Sequence, residues 1–524
     1  MSSGKNGTGA VACGHPATAA AAREILEDGG TAFDAVLAAL CAAAVAEPVL
    51  SSLGGGGFLL AQTAEGERRL YDFFVDTPRE KRRAEEISFY PVLADFGTAT
   101  QEFHIGLGAA AVPGAVKGLF AIHADLGSLP MARLIAPAAR LAREGVELRA
   151  GDAFIHKVVE PIATAHDDTK ALLCGSDGRL LTQGERLRNP ALAEALEALA
   201  EEGERLLYAG PWGAALVALS QQEGGQLTQA DLAGYRVERR RPLIQRYRTA
   251  ELATNPPPST GGLLICFALG LLAERSLAPG DFGSPEHLRL LGEAMELTAR
   301  ARGESGLNEA EGADEAEAAA QWLLDPELRR RYAAEIGARP TTARGTTHIS
   351  VADGAGNIAA MTLSNGEGCG RTLPGTGIVL NNMLGEEDLN PRGFHTWPPG
   401  TRIGSMMAPS LVGLPGGGIA ALGSGGSNRI RTAILQVLSN LIDFAMPPEE
   451  AIAAPRLHIE RGLANAEDGF SESGLAGLQD LGCETLLWPQ GNLFFGGVHL
   501  VRRGRDGGLS AVGDPRRGGV AEVF

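Results

Sequence analysis

The sequence has 524 residues, too many for one small domain, and its 44% hydrophobic and 21% charged residues are typical of a globular protein. This composition excludes a disordered, fibrous or membrane-embedded chain. The net charge of −17 opposes binding to nucleic acid or to an anionic membrane, so we expect a small-molecule ligand and neither of those partners.

The cysteines and the first residues of the sequence indicate the cellular compartment. The six cysteines are far apart, without a Cys-x-x-Cys pair or a Cys/His cluster, so we predict no disulfide framework and no structural zinc site. We also expect no other metal and no cofactor. The first residues, Met1–Gly9, lack the apolar core of a secretory signal. The longest apolar run, Ala35–Ala46, is too short to span a bilayer. We therefore expect a cytoplasmic protein.

The N-terminal region predicts two helices and a strand. Residues 16–28 favour a helix that ends at a Gly-Gly pair, and Thr31 with Asp34 resembles a capping box that opens a buried helix to Ala46. Gly54–Gly57 precede Phe58-Leu-Leu-Ala-Gln, which is typical of a strand. Because no helix follows the glycines, close packing of this loop is favoured over phosphate binding.

The middle of the chain reads as helical scaffold. Pro190–Glu202 predicts a helix, and Thr228 with Asp231 a second capping box. Asn255–Gly262 contains three prolines, so we expect a rigid loop that leads into a helix over Leu263–Ala273.

A linker and a hairpin are predicted next. Residues 303–345 change to an acidic and then a helix-breaking composition, with a helical stretch around Trp322–Glu335, and form the best candidate linker. Directly after them, Thr346–Ala352 and Ile358–Ser364 predict two strands joined by a Gly-containing turn.

Threonine at such a position can carry chemistry. Its hydroxyl is a weak nucleophile unless a base lies beside it, and a threonine at a chain N-terminus has its own α-amine for this task. Acyl transfer also needs donors for an oxyanion, which glycine backbone N–H groups supply. Gly423–Arg429, opening a helix over Ile430–Leu441, has that character.

Several ordered motifs resemble the gamma-glutamyltranspeptidase family. They include Thr346-Thr-His-Ile-Ser-Val, Pro374-Gly-Thr-Gly-Ile-Val-Leu-Asn-Asn, Gly425-Gly, Ala454-Pro-Arg-Leu-His and Asp514-Pro-Arg-Arg. The resemblance extends over nearly the whole chain. It implies an N-terminal-nucleophile hydrolase with a four-layer αββα sandwich, made as a proenzyme that cuts itself.

The resemblance assigns the catalytic positions. The cut would fall between Gly345 and Thr346, giving parts of 345 and 179 residues that form one interwoven heterodimer, whose further pairing the sequence leaves open. Thr346 would be the nucleophile and, through its new amine, the general base. Ser364 takes the place of the family hydroxyl that hydrogen-bonds the nucleophile, and Gly425 and Gly426 match the oxyanion donors.

The positions expected to bind substrate depart from the family. Where the family has an arginine for the α-carboxylate of the γ-glutamyl group, this chain has Phe74; its Ser-Ser pair reads Ser405-Met406. The acidic stretch that holds the α-amine reads Asn381-Asn-Met-Leu-Gly-Glu-Glu. We predict Phe74, Asn365, Ser405 and Met406 as substrate-binding residues, and an amide substrate whose acyl group is not ordinary γ-glutamyl, because a carboxylate buried without a cation is costly.

Alternatives remain open at this point. Arg79, Arg82 or Arg83 could replace the missing arginine, although solvated surface charges are the more common outcome. The protein could be a true γ-glutamyl hydrolase or transpeptidase with a rebuilt carboxylate site, or an inactive binding or scaffold homologue. The glycine clusters lack the fingerprint of a dinucleotide site.

Other conspicuous residues near the site have ordinary interpretations. His348 is expected to be a satisfied structural histidine and Cys369 a buried, inert thiol. Phe394, His395 and Trp397 are candidates for the entrance of the site.

Overall fold

The computed structural model describes residues 7–95, 100–275, 277–310, 312–334, 346–460, 462–479 and 481–524. The helices of this part of the chain are α1 (Pro16–Glu27), α2 (Ala32–Ala46), α3 (Ala115–Leu126), α4 (Met131–Glu144), α5 (Ala150–Val158), α6 (Glu160–Ala163), α7 (Asp167–Leu173), α8 (Pro190–Glu202), α9 (Arg205–Tyr208), α10 (Pro211–Gln222), α11 (Gln229–Gly234), α12 (Gly261–Ala273), α13 (Pro285–Glu304), α14 (Ala313–Leu324), α15 (Pro326–Ala334), α16 (Arg429–Ile442), α17 (Pro448–Ala453) and α18 (Glu472–Gln479).

The strands are β1 (Gly9–Cys13), β2 (Gly56–Gln62), β3 (Arg68–Asp72), β4 (Tyr90–Asp95), β5 (Thr100–Ile105), β6 (Val146–Glu147), β7 (Arg186–Leu187), β8 (Glu238–Arg240), β9 (Leu243–Tyr247), β10 (Ala250–Thr254), β11 (Thr347–Asp353), β12 (Ile358–Ser364), β13 (Thr372–Leu373), β14 (Ile378–Val379), β15 (Ser410–Gly413), β16 (Ile419–Gly425), β17 (Leu457–Glu460), β18 (Leu463–Glu467), β19 (Glu484–Trp488), β20 (Gly497–Arg503), β21 (Leu509–Val512) and β22 (Val520–Val523).

Two antiparallel sheets form the centre of the molecule. One has the strand order β22-β1-β11-β12-β2-β3-β8 and the other β21-β20-β16-β15-β10-β9. Each sheet combines strands that precede residue 346 with strands that follow it. The two parts of the chain on either side of Thr346 therefore alternate within the first sheet, and they pair along one edge, between β15 and β10, in the second.

The sheets face each other, and helices cover their outer sides. Small side chains such as Ala10, Ala12 and Ala360 fill the layer between the sheets. Because side chains alternate along a strand, their neighbours Val11 and Met361 point into the other layer, where the core includes α1 and α2. A second helical core with α12 and α16 covers the other sheet. This arrangement confirms the predicted αββα sandwich.

The predicted N-terminal elements are confirmed. The helix α1 ends one residue before the predicted end, and the capping box of Thr31 and Asp34 opens α2, whose residues are all buried. The glycines Gly54–Gly57 lie so close to their neighbours that a Cβ at Gly55 would overlap the carbonyl O of Ser364. Close packing, as predicted, is therefore the reason for these glycines.

The linker prediction is partly wrong. α13 continues to Glu304, and α14 begins at Ala313, inside the segment whose acidic composition suggested a linker. Ala316, Ala319, Ala320 and Leu323 of α14 are buried at helical spacing. The rest of the predicted linker, residues 335–345 with Gly345 of the predicted cut, lies outside the described residues.

No helix among the described residues is both long and apolar enough to cross a membrane.

Candidate active site

The nucleophile predicted from the sequence directly precedes the central strand β11. In the pairing of β11 with β12, Thr347 is opposite Leu363, so the next pair in this register is Thr346 and Ser364. Thr346 is buried, with 4% of its surface exposed. The hydroxyl oxygen of Ser364 accepts a hydrogen bond from the Gly366 N–H at 3.1 Å. The hairpin register thus brings the two predicted hydroxyl residues side by side.

Thr346 and Ser364 line one cavity, which we call the nucleophile cavity. Its other lining residues among those described are Phe74, Met383, Glu386, Leu389, Ser405, Met406, Met407, Ser427 and Ile430. Three predicted substrate-binding residues, Phe74, Ser405 and Met406, are therefore brought to the predicted nucleophile from separate parts of the chain. Asn365 is not among the lining residues: its side chain is fully buried, and its amide has no hydrogen-bond partner among the described residues.

Glycine is required beside the nucleophile. A Cβ at Gly425, the last residue of β16, would overlap the carbonyl O of Thr346. Gly426 has a φ of 120°, a conformation that residues with side chains rarely adopt. Of the two predicted oxyanion donors, Gly425 thus lies in direct backbone contact with Thr346, whereas Gly426, the next residue, lies against Gly496 and Arg517.

A second cavity, of about 310 Å³, lies at Thr346 and Thr347. The Thr347 hydroxyl donates to a carboxylate oxygen of Glu47 at 3.2 Å, and burial raises the pKa of Glu47. Arg517 donates to the carbonyl O of Thr346 at 3.4 Å, and burial lowers the pKa of Arg517 to about 10. The sequence showed Arg517 only as part of a family motif and did not indicate this contact.

The charged side chain that lines the nucleophile cavity is acidic. None of its described lining residues is a lysine, arginine or histidine, and its acidic side chain is Glu386. Phe74, at the position of the family's arginine, is 1% exposed. Sequence reasoning did not single out Glu386; the only signal was its place in the stretch that resembles the family's amine-binding segment.

The arginines that follow Phe74 in sequence do not reach this cavity. Arg79 is exposed and lies against Gly234 and Gly400, while Arg82 donates to the carbonyl oxygens of Gln221 and Gly225. Arg83 is exposed. The structure therefore does not place any of the three where it could replace the missing arginine.

Two predictions about neighbouring residues are confirmed. His348 is fully buried, its ring nitrogens lie 2.8 Å from the Thr362 hydroxyl and 2.9 Å from the Ser350 hydroxyl, and burial lowers its pKa well below the usual value. Cys369 is fully buried, and burial raises its pKa to about 12. Both residues are structural.

An outer cavity of about 330 Å³ adjoins the nucleophile cavity, and we call it the vestibule. The two cavities share the lining residues Leu389, Ser405 and Met406. Of the three side chains predicted at the entrance, Trp397 lines the vestibule, whereas Phe394 and His395 pack against the ring of Phe89. The vestibule is therefore one described space, besides the second cavity at Thr347, into which a substrate can extend away from Thr346.

Comparison with known proteins identifies the family of this site. The model of the family described as gamma-glutamyltranspeptidase matches residues 18–524. The chain belongs to the gamma-glutamyltranspeptidase family. Members of this family are hydrolases and acyltransferases with a threonine nucleophile, so the protein is an enzyme of that kind.

Known relatives of this chain have two different names. An acylase ACY 1 proenzyme from a Pseudomonas species is 33% identical, over 96% of this chain and 91% of that protein. A glutathione hydrolase proenzyme from Escherichia coli is 29% identical, over 94% of this chain and 88% of that protein. Among solved structures, a cephalosporin acylase from Bacillus halodurans matches with a TM-score of 0.86 and 25% identity, covering 100% of this chain and 97% of that one.

Proposed function

We propose that the chain cleaves itself between Gly345 and Thr346 and then hydrolyses amides through an acyl-Thr346 intermediate. Membership of the family implies a self-processing amidohydrolase or transpeptidase. The burial of Thr346 beside Ser364, with Gly425 in contact, supports this role. The two parts would remain together as a heterodimer, which we place in the cytoplasm.

In the proposed reaction, the α-amine freed on Thr346 takes the proton of the Thr346 hydroxyl as its oxygen attacks the amide carbon. The unperturbed pKa of such an amine, about 7.7–8.0, suits proton transfer near neutrality. Backbone N–H groups of Gly425 and Gly426 stabilise the oxyanion. The C–N bond breaks, the amine leaves with the proton, and water then hydrolyses the acyl ester in the same way.

The acyl group is not ordinary γ-glutamyl in this proposal. The observation that carries it is the nucleophile cavity without a described basic lining residue, with Phe74 and Met406 where a carboxylate would be held. An unpaired α-carboxylate buried there would cost several kcal/mol. The acylase names of two relatives and of one solved structure agree with this assignment.

Glu386 favours a second candidate function. A buried acid beside the nucleophile can bind an ammonium group, which a γ-glutamyl substrate carries. In this case the enzyme would be a γ-glutamyl hydrolase or transpeptidase whose carboxylate site has been rebuilt.

A panel of 4-nitroanilides tests both candidates with one leaving group. We expect aliphatic acyl anilides to be hydrolysed at least about tenfold more efficiently than the γ-glutamyl anilide, since the latter must leave its α-carboxylate unpaired. Thr346→Ala is the inactive control. A preference for the γ-glutamyl anilide would support the second candidate, and no Thr346-dependent turnover of any anilide would support an inactive homologue.

A further inference from the structure

The vestibule is lined by arginine side chains, whereas the described lining of the nucleophile cavity contains no cationic side chain. Its described lining includes Arg240, Arg302, Arg392 and Arg402, against one acid, Asp388. Arg240 and Arg402 are neutralised, because both pair with Asp72, and Arg402 also pairs with Asp76 at 2.6 Å. These two arginines therefore hold the wall of the vestibule together.

Arg302, in the last turn of α13, differs from Arg240 and Arg402 in its partners. Its Nε donates to the side-chain oxygen of Asn308 at 3.0 Å, and among the described residues it has no ion pair within 4.0 Å. Burial, together with the nearby charge of Arg431, lowers its pKa, yet a guanidinium remains charged at neutral pH. Arg302 is thus a cation whose charge no described carboxylate balances at close range.

The acids that face Arg302 are already engaged. Asp388 accepts hydrogen bonds from Ser427 and from Asn428. Glu460 is bound by His458 at 3.0 Å and lies 3.8 Å from Arg431. A substrate group can therefore offer Arg302 the carboxylate that its neighbours do not.

A second donor in the vestibule lacks an acceptor. Trp397 is 6% exposed, and its indole N–H has no hydrogen-bond partner among the described residues. Leaving a buried donor unpaired costs free energy, which a bound acceptor would recover. Arg302 and Trp397 line the same cavity and both favour an acceptor group.

We propose that Arg302, assisted by Trp397, binds a carboxylate of the substrate in the vestibule, so that the enzyme prefers amides with a carboxylate further from the scissile bond than in a γ-glutamyl group. The carboxylate belongs either to the acyl chain or to the leaving amine. This inference rests on the proposed function. Because the vestibule adjoins the nucleophile cavity, one substrate can hold its amide at Thr346 and its carboxylate at Arg302. A guanidinium binds a carboxylate with two parallel hydrogen bonds, which makes it a specificity-determining group.

Two series of substrates separate the two sources of the carboxylate. One compares pentanoyl with 5-carboxypentanoyl and 6-carboxyhexanoyl 4-nitroanilides, whose carboxylates lie further from the amide than that of γ-glutamyl. The other compares pentanoyl 4-nitroanilide with its 3-carboxy derivative. We expect kcat/KM to rise at least about tenfold with the carboxylate in one of the series. Arg302→Met should remove this preference while leaving kcat/KM for the neutral anilide within about twofold, and Trp397→Phe should reduce the preference less.

Arg300→Met is the matched control, because Arg300 lies on the same helix, over the ring of Tyr332, and does not line the vestibule. A preference that is the same in wild type and in Arg302→Met, or an equal loss for charged and neutral anilides, would overturn the inference. Rescue of part of the preference by Arg302→Lys would support it.

Calorimetric titration with hexanedioate and with 5-amino-2-nitrobenzoate gives a readout that does not need turnover. We expect one of these probes to bind, and Arg302→Met to weaken that binding at least about tenfold. If a probe binds through Arg302 but no anilide is hydrolysed, the carboxylate site is supported and the proposed function is rejected. If anilides are hydrolysed but neither probe binds through Arg302, the proposed function is supported and the carboxylate site is rejected.

Discussion

Thr346 and Ser364 line the nucleophile cavity and are placed by strand register, and the backbone of Gly425 contacts Thr346; we call this the catalytic end of the cavity. By contrast, Phe74 and Met406, the predicted contacts of the substrate, line the same cavity from other parts of the chain, and we call them the recognition end. Register and backbone contact leave little freedom, because a change there moves the strands of a sheet. Side chains that line a cavity can be replaced by others while the sheets stay in place. Within one fold, we therefore expect the catalytic end to be constrained and the recognition end to be free to change for a new acyl group.

The largest effect is expected at the backbone contact. Gly425→Ala should lower kcat/KM more than about a hundredfold, since its Cβ would displace Thr346 from the oxyanion donors. Steady-state kinetics of the processed protein measure this loss. The control is Gly303→Ala, at a helical glycine whose Cβ would meet no atom within 4 Å. Similar kinetics for the two variants would break the distinction between the two ends of the cavity.

A smaller effect is expected at the paired hydroxyl. Ser364→Ala should lower kcat about tenfold to a hundredfold, because both the nucleophile and the Gly366 N–H would lose a polar neighbour. Ser364→Thr, which keeps a hydroxyl, should retain most of the activity. If both variants lost activity equally, shape rather than hydrogen bonding would be the contribution of Ser364.

The recognition end should respond by changing selectivity. Phe74→Arg is expected to raise the ratio of kcat/KM for γ-glutamyl over pentanoyl 4-nitroanilide about tenfold, because a guanidinium in the cavity can pair with the α-carboxylate. Phe74→Leu controls for the loss of the ring. Circular dichroism shows whether the buried charge is tolerated, and an unchanged ratio in a folded variant would argue against Phe74 as a contact of the acyl group.

The smallest effect concerns stability and pH at Glu47. Its raised pKa means that the folded protein keeps this proton to a higher pH than the unfolded chain, whose value is near 4.5. The resulting stability is present below that pH and is lost as the pH rises through the folded pKa. Glu47→Gln cannot ionise, so its Tm relative to wild type should rise between pH 4.5 and about pH 8. The same Tm difference at both pH values would contradict this account.

Local patterns allowed much of this structure to be predicted. The capping boxes, the hairpin of β11 and β12 and the buried helix α2 depend on residues that are close in sequence. The predicted helical stretch around Trp322–Glu335 covers the end of α14 and all of α15, but the part of α14 before Trp322 was missed. Its acidic residues hid the buried spacing of Ala316, Ala319, Ala320 and Leu323. That spacing was readable in the sequence and is a signal that composition alone does not give.

The site was predictable where family motifs mark it and not where separate segments meet. Thr346, Ser364 and Phe74 were found from motifs, and they line one cavity. The contact of Arg517 with Thr346 and the meeting of Arg302 with Trp397 in the vestibule join residues far apart in the chain. No spacing in the sequence encodes such contacts, because they arise from the packing of several elements.

The central claim is that Thr346 becomes an N-terminal nucleophile, and an intact-mass spectrum of the denatured protein tests it most directly. For the wild type, we predict two species of about 36 and 19 kDa, scaled from 54.5 kDa over 524 residues, and for Thr346→Ala only the full-length chain. A single 54.5 kDa species in both samples would contradict the account, because Thr346 would then have no free amine to act as its base.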